Sequence, residues 1–102
     1  MPSTENESGV TTAIKTKIKQ PSMYKCILHN DDYTPMDFVI FVLMEFFSKD
    51  LEEANAIMLA VHNKGKGLAG IYTKEIADQK ADESERTARA NGHPLKITVE
   101  IA

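Results

Sequence analysis

One cysteine, Cys26, is all that the 102-residue chain contains, which excludes an internal disulfide framework and any zinc site built on several thiolates. Long apolar runs are lacking too. The longest, Phe38 to Met44, covers seven residues, against the ~20 that a membrane helix needs. The first residues, Met1-Pro2-Ser3-Thr4-Glu5, place no basic head before an apolar core. A secretory leader is therefore not expected, and a reducing, cytoplasmic setting is. Positive charge is not in excess: the formal net charge is −3. That leaves no field for gripping phosphate backbones, so neither nucleic acid nor a membrane is an expected partner. No serine sits in a nucleophile-elbow setting, and no glycine pattern resembles a phosphate loop. What remains is ordinary for one globular domain: 42% hydrophobic and 26% charged residues.

Residues 1–20 read as a polar, flexible tail in which Glu5 and Glu7 precede Lys15, Lys17 and Lys19, with Pro21 as punctuation. The folded part is expected over residues 21–102. Tyr24 to His29 is a strand candidate, stopped by the turn-forming run Asn30-Asp31-Asp32. Thr34-Pro35-Met36-Asp37 carries the pattern of a capped helix start: Thr34 as N-cap, Pro35 at the first position, Asp37 at the third. That helix, to about Phe47, is apolar on nearly every side and is expected to lie between two layers. A second helix opens at Asp50 with Glu53 completing a capping box, and Leu51, Ala54, Ile57, Met58 and Val61 form one stripe. Gly65 is placed to end it in a left-handed cap. Leu68 to Tyr72 makes a second strand, weakened by Gly67 and Gly70. Thr73 can cap a third helix with a small-residue face of Ala77, Ala81, Ser84 and Ala88, ending at Gly92. Leu95, Ile97, Val99 and Ile101 alternate with polar residues as a third strand. The order βααβαβ predicts an α+β domain, a three-stranded antiparallel sheet packed on three helices.

Few residues offer catalytic chemistry. Gly65-Lys66-Gly67 follows a helix rather than opening one and reads as a cap and turn. Cys26 lies in a strand, where a packed thiol is the usual finding. His29-Asn30-Asp31-Asp32, with His62 farther on, has oxygen and nitrogen donors but neither calcium-loop nor zinc-ligand spacing, so no metal or other cofactor is expected. A geometric relation is more informative. Met36 and Val39 share a face of the first helix, and Met58, Val61 and His62 share a stripe of the second. If these helices pack side by side, Met and Val groups wall a hollow with His62 and the Asn-Asp loop at its rim. Spacing alone is also met by plain core packing with a hydrogen-bonded histidine. The pattern then describes a non-catalytic α+β assembly domain that recruits factors to a larger complex.

Three blocks add a resemblance. Pro21-Ser22-Met23-Tyr24-Lys25, then Leu28-His29-Asn30-Asp31-Asp32-Tyr33-Thr34-Pro35-Met36 and Phe38-Val39, resemble the signature of the ClpS family. Ala54 to Met58 with Leu59-Ala60-Val61-His62 and Gly65-Lys66-Gly67 is similar as well. So are Gly70-Ile71-Tyr72-Thr73, Glu75-Ile76-Ala77 and the closing His93-Pro94-Leu95. The resemblance covers Pro21 to Ala102.

It implies an adaptor, not an enzyme, that binds proteins beginning with Phe, Tyr, Trp or Leu and hands them to the AAA+ protease ClpAP, or ClpCP in some lineages. By the resemblance, Asn30, Asp31 and His62 hold the substrate's free α-amino group. Asp32, Thr34, Met36, Val39, Met58, Val61 and Leu95 form the side-chain pocket. Glu75 and Lys80 meet the N-terminal domain of the unfoldase, ClpA or ClpC. A monomer is expected.

Overall fold

The computed structural model describes residues 21–102. Its elements run β1 (Met23–His29), α1 (Met36–Phe47), α2 (Leu51–Lys64), β2 (Lys66–Thr73), α3 (Lys74–Ala90) and β3 (Lys96–Ile101), the order the sequence predicts. β1 is the central strand of a three-stranded sheet ordered β2-β1-β3, with both pairings antiparallel. Period-two alternation turns Cys26 and Leu28 of β1 inward, where Leu28 faces Ile97 across the ladder and Cys26 faces Val99. The helices cover this inner face. The expectation of a flexible tail concerns residues 1–20, which lie outside the described residues.

Local chemistry accounts for most boundaries. The Asp50 carboxylate accepts from the Glu53 backbone N–H at 2.8 Å, and the Glu53 carboxylate accepts from the Asp50 N–H at 3.1 Å, closing the predicted capping box. Gly65 ends α2 at φ 91°, a conformation that costs glycine no steric penalty, and its N–H donates to the Val61 carbonyl. The small face of α3 is buried as read: Ala77, Ala81, Ser84 and Ala88 all lie against the rest of the core. Methyl-sized side chains let α3 approach the sheet so closely that the Cys26 thiol donates to the Ala77 carbonyl at 3.4 Å. Burial pushes that thiol up to about 11, so Cys26 is a packed, unreactive group.

Five details differ from the sequence reading. Thr34 does not cap α1. Pro35 stands at the cap position without a side-chain bond, and the Thr34 hydroxyl donates instead to Asp31. Thr73 occupies the cap position of α3 but likewise makes no capping bond. α1 is not enclosed: Phe38, Val39, Val42, Leu43 and Phe47 are buried, while Phe41 and Met44 face solvent. Only one side of the helix has a partner layer, so its opposite apolar side is left open. Leu51, in the α2 stripe, is exposed as well, while Ala54, Met58 and Val61 of the same stripe are buried. Finally, β2 begins two residues early, at Lys66, and carries a bulge at Ala69, which has no partner between the Cys26–Gly70 and Ile27–Leu68 pairs.

Candidate functional site

The chain leaves β1 at Asn30 and must reverse before α1 begins at Met36. Asp31 organises that reversal. One of its carboxylate oxygens accepts the backbone N–H groups of Tyr33 at 2.8 Å and Thr34 at 2.7 Å. The other accepts the Thr34 hydroxyl at 2.8 Å. This is an Asx turn with an added hydroxyl clamp, and it fixes the loop's shape from within. Burial pushes the Asp31 carboxyl upward, but the Thr34 and Tyr33 N–H groups, the Thr34 hydroxyl and the charge of His93 outweigh it, so it ionises below the ordinary value of 3.8. Asp31 is an anion across the physiological range.

A second tether brings this loop to α2. The Asn30 backbone N–H donates to the Gly65 carbonyl at 2.9 Å. Because Gly65 closes the last turn of α2, the bond holds Asn30 beside His62, one turn earlier on the same helix. Left-handed Gly65 is therefore a site residue at one remove. A non-glycine residue at φ 91° would be strained there, and the strain would fall on the carbonyl that anchors the loop.

Between the loop, the start of α1 and the last turns of α2 lies a pocket of about 410 Å³. Its rim carries Asn30, Asp31, Asp32 and His62; its mouth carries Tyr33, Pro35 and half-exposed Met36. Its floor is Val39, Met58 and Val61, each less than a tenth exposed, with Thr34 on the wall. The volume is near the low end of ligand pockets, about 300–1,000 Å³, which suits one side chain and its backbone rather than a long ligand. An apolar floor under a rim of a carboxylate, an amide carbonyl and an imidazole accommodates an apolar group bonded to a cation. The carboxylates and Asn30 supply acceptors, and a neutral imidazole nitrogen supplies another.

Nine of the ten residues expected at the pocket line it: Asn30, Asp31, Asp32, Thr34, Met36, Val39, Met58, Val61 and His62. Leu95 does not. It is 1% exposed and belongs to the core just before β3. Tyr33 and Pro35 line the pocket and were not singled out from the sequence. The signal for both was available: an Asx turn begun at Asp31 necessarily places the next residues around its carboxylate.

Glu75 and Lys80 lie on α3, away from the pocket. Glu75 is exposed in the first turn. Lys80 is partly buried; its ammonium donates to the Phe46 carbonyl at 2.8 Å and sits 5.2 Å from the Tyr72 ring centroid. It thus neutralises the carbonyl end of α1 and stitches that helix to α3. Among the described residues no group of acids, histidines or cysteines could hold a metal ion, and no helix is long and apolar enough to cross a membrane.

A rim of acceptors over an apolar floor, on a small α+β domain, is the architecture of a recognition module. The family model described as ATP-dependent Clp protease adaptor protein ClpS matches residues 19–98. The chain belongs to the ClpS family, the adaptors of the ATP-dependent Clp protease. The ClpS adapter protein of Shewanella pealeana is 53% identical over the full length of both chains. That of Sodalis glossinidius is 56% identical over 87% of this chain and 84% of its own. Among solved structures, Agrobacterium tumefaciens ClpS2 bound to L-phenylalaninamide superposes with a TM-score of 0.79 at 34% identity, covering 81% of this chain and all of that one.

Proposed function

We propose that this protein binds polypeptides whose first residue is Phe, Tyr, Trp or Leu and delivers them to the Clp protease, with the pocket reading the α-amino group and the first side chain together. The observation that carries this is the juxtaposition of Asn30, Asp31 and His62 at the rim with Val39, Met58 and Val61 beneath. The ligand of the Agrobacterium structure, an amine one carbon from an aromatic side chain, has the same two features and supports the reading.

Magnitudes explain why both features are needed. Burying a large apolar side chain yields about 1.5–3 kcal/mol. Micromolar affinity takes about 8 kcal/mol. Hydrogen bonds to a charged partner contribute about 1.5–3 kcal/mol each, so the acceptors around an ammonium supply the larger share. Methionines in the wall are polarisable and reshape easily, which accommodates both flat rings and branched Leu. Met36 at the mouth then restricts entry of side chains branched at Cβ.

No step of bond making or breaking is assigned to the protein, and it needs no cofactor. It acts in the cytoplasm as a monomer, docking the N-terminal domain of an unfoldase of the ClpA or ClpC type through the surface around Glu75 and Lys80. Residues 1–20 serve delivery rather than binding. The test is degradation of a reporter beginning with Phe by an ATP-dependent Clp protease. Addition of the full chain accelerates it, and a chain lacking residues 1–20 binds the reporter equally but does not accelerate it. Equal degradation with and without the full chain contradicts the proposal.

A further inference from the structure

A second hollow, also of about 410 Å³, adjoins the pocket and is bounded by Tyr33, Arg89, Gly92, His93 and Pro94. Tyr33 lines both cavities and so stands between them. The hollow is made where α3 ends: Gly92, at φ 77°, turns the chain back toward β3, and Arg89 holds that turn by donating one guanidinium nitrogen to the carbonyls of His93 at 3.1 Å and Leu95 at 2.9 Å. The His93 ring is in turn fixed edge-on against Phe38, at 4.6 Å between centroids. Since Phe38 is in the first turn of α1, both hollows are built on the same rigid base.

The walls are flat. A tyrosine that is 79% exposed, an imidazole, a pyrrolidine ring and a guanidinium surround the space, and Gly92 leaves one side without a side chain. Because Arg89 already spends donors on the two carbonyls, its planar face is the part best suited to a ligand. Flat groups of this kind stack on aromatic side chains.

We propose that this hollow is a second specificity site, selecting a flat, apolar side chain at the third position of the polypeptide whose first residue fills the neighbouring pocket. The inference rests on the N-terminal binding mode proposed above. Alternate side chains of an extended chain point the same way, about 6.7 Å apart at ~3.3–3.4 Å per residue. The first and third side chains therefore straddle an obstacle the thickness of one ring, and Tyr33 is that obstacle. The second side chain points away from the protein.

The test compares peptides beginning Phe-Ala-Trp, Phe-Ala-Ala and Phe-Ala-Glu by fluorescence anisotropy, with the full chain and with the Tyr33→Ala and Pro94→Ala variants. Both positions are exposed, and the ratio between peptides within one variant cancels any change at the first pocket. The intact protein is expected to bind the Trp peptide about three- to tenfold tighter than the Ala peptide, the range of a stacked aromatic pair. That ratio should fall toward one in both variants. Equal binding of the Trp and Ala peptides by the intact protein, with both still dependent on a free amine, overturns the second site and leaves the N-terminal reading standing. Tighter binding of the Glu peptide overturns the flat-ligand assignment, since the cation of Arg89 would then be the recognised feature. Loss of all Phe-initiated binding overturns both.

Discussion

Thr34 gives both of its donors to one carboxylate: its N–H reaches Asp31 at 2.7 Å and its hydroxyl reaches Asp31 at 2.8 Å. The pocket's rim thus has its anion and its shape from the same side chain. Those bonds leave the charge of Asp31 in place while consuming much of its accepting capacity. In the proposed binding mode, Asp31 would then act on an ammonium chiefly through charge, with Asn30 and His62 carrying more of the directional bonding.

This arrangement predicts a pH dependence. The Asp31 carboxyl ionises below 3.8 in the folded protein. Its contribution to loop order is complete above the unfolded aspartate value of about 3.9 and is lost as pH falls through the lower folded value. The amide resonances of Tyr33 and Thr34, followed on acidification, should move with a midpoint below the ordinary aspartate value. A midpoint at or above it contradicts the clamp.

Met36 should act as a gate. It stands half exposed at the mouth of the pocket, on the first turn of α1. Met36→Ala widens the entrance and should bring peptides beginning with Ile or Val to within about tenfold of Phe, the equivalent of ~1.4 kcal/mol. Competition binding with Ile- and Phe-initiated peptides measures this. A variant that rejects Ile as strongly as the parent removes the gate.

Gly67 links fold to site. A Cβ there would lie 2.8 Å from Val61 Cγ2 and 3.1 Å from the Ile57 carbonyl. Val61 forms part of the pocket floor, so the strain of Gly67→Ala is transmitted to it. The substitution should cost about 1–3 kcal/mol of stability by overpacking and weaken peptide binding in the protein that remains folded. Thermal melts and binding below the melting transition test the two effects separately. Unchanged values in both would show that α2 yields freely.

Glu75 and Lys80 should separate. Glu75 is exposed and without a partner among the hydrogen bonds and ion pairs of the described residues, so Glu75→Ala should impair delivery to the protease with no change in melting temperature. Lys80 bonds the Phe46 carbonyl and covers the Tyr72 ring. Lys80→Ala should therefore lower stability by about 1–2 kcal/mol as well. Equal melting temperatures for the two variants would show that the Lys80 contact is not stabilising.

How much of this was legible in the sequence follows from where the determinants lie. The Asp50–Glu53 box, the left-handed Gly65 and the small face of α3 depend on successive residues three or four positions apart, and each is present in the structure. Thr34 shows the limit of such reasoning. A capping pattern and an Asx turn compete for the same hydroxyl, and the turn won because Asp31 gathers two N–H groups along with it. Apolar character on nearly every side of α1, or along a stripe of α2, does not say that another layer covers the residue, and Phe41, Met44 and Leu51 are exposed. Most of the pocket was legible from spacing plus family resemblance. Its partition at Tyr33 was not, since that residue's place depends on the loop's own hydrogen bonds.

Joint recognition of amine and side chain is tested most directly by calorimetric binding of one Phe-initiated peptide in free and N-acetylated form, to the parent and to Asn30→Ala. The parent should bind the free peptide and lose it by more than about a hundredfold on acetylation, as expected when at least two charge-assisted hydrogen bonds vanish. Asn30→Ala should lose at least about tenfold, or ~1.4 kcal/mol, for the free peptide with its fold intact. Equal affinity of the parent for both forms of the peptide would contradict the account.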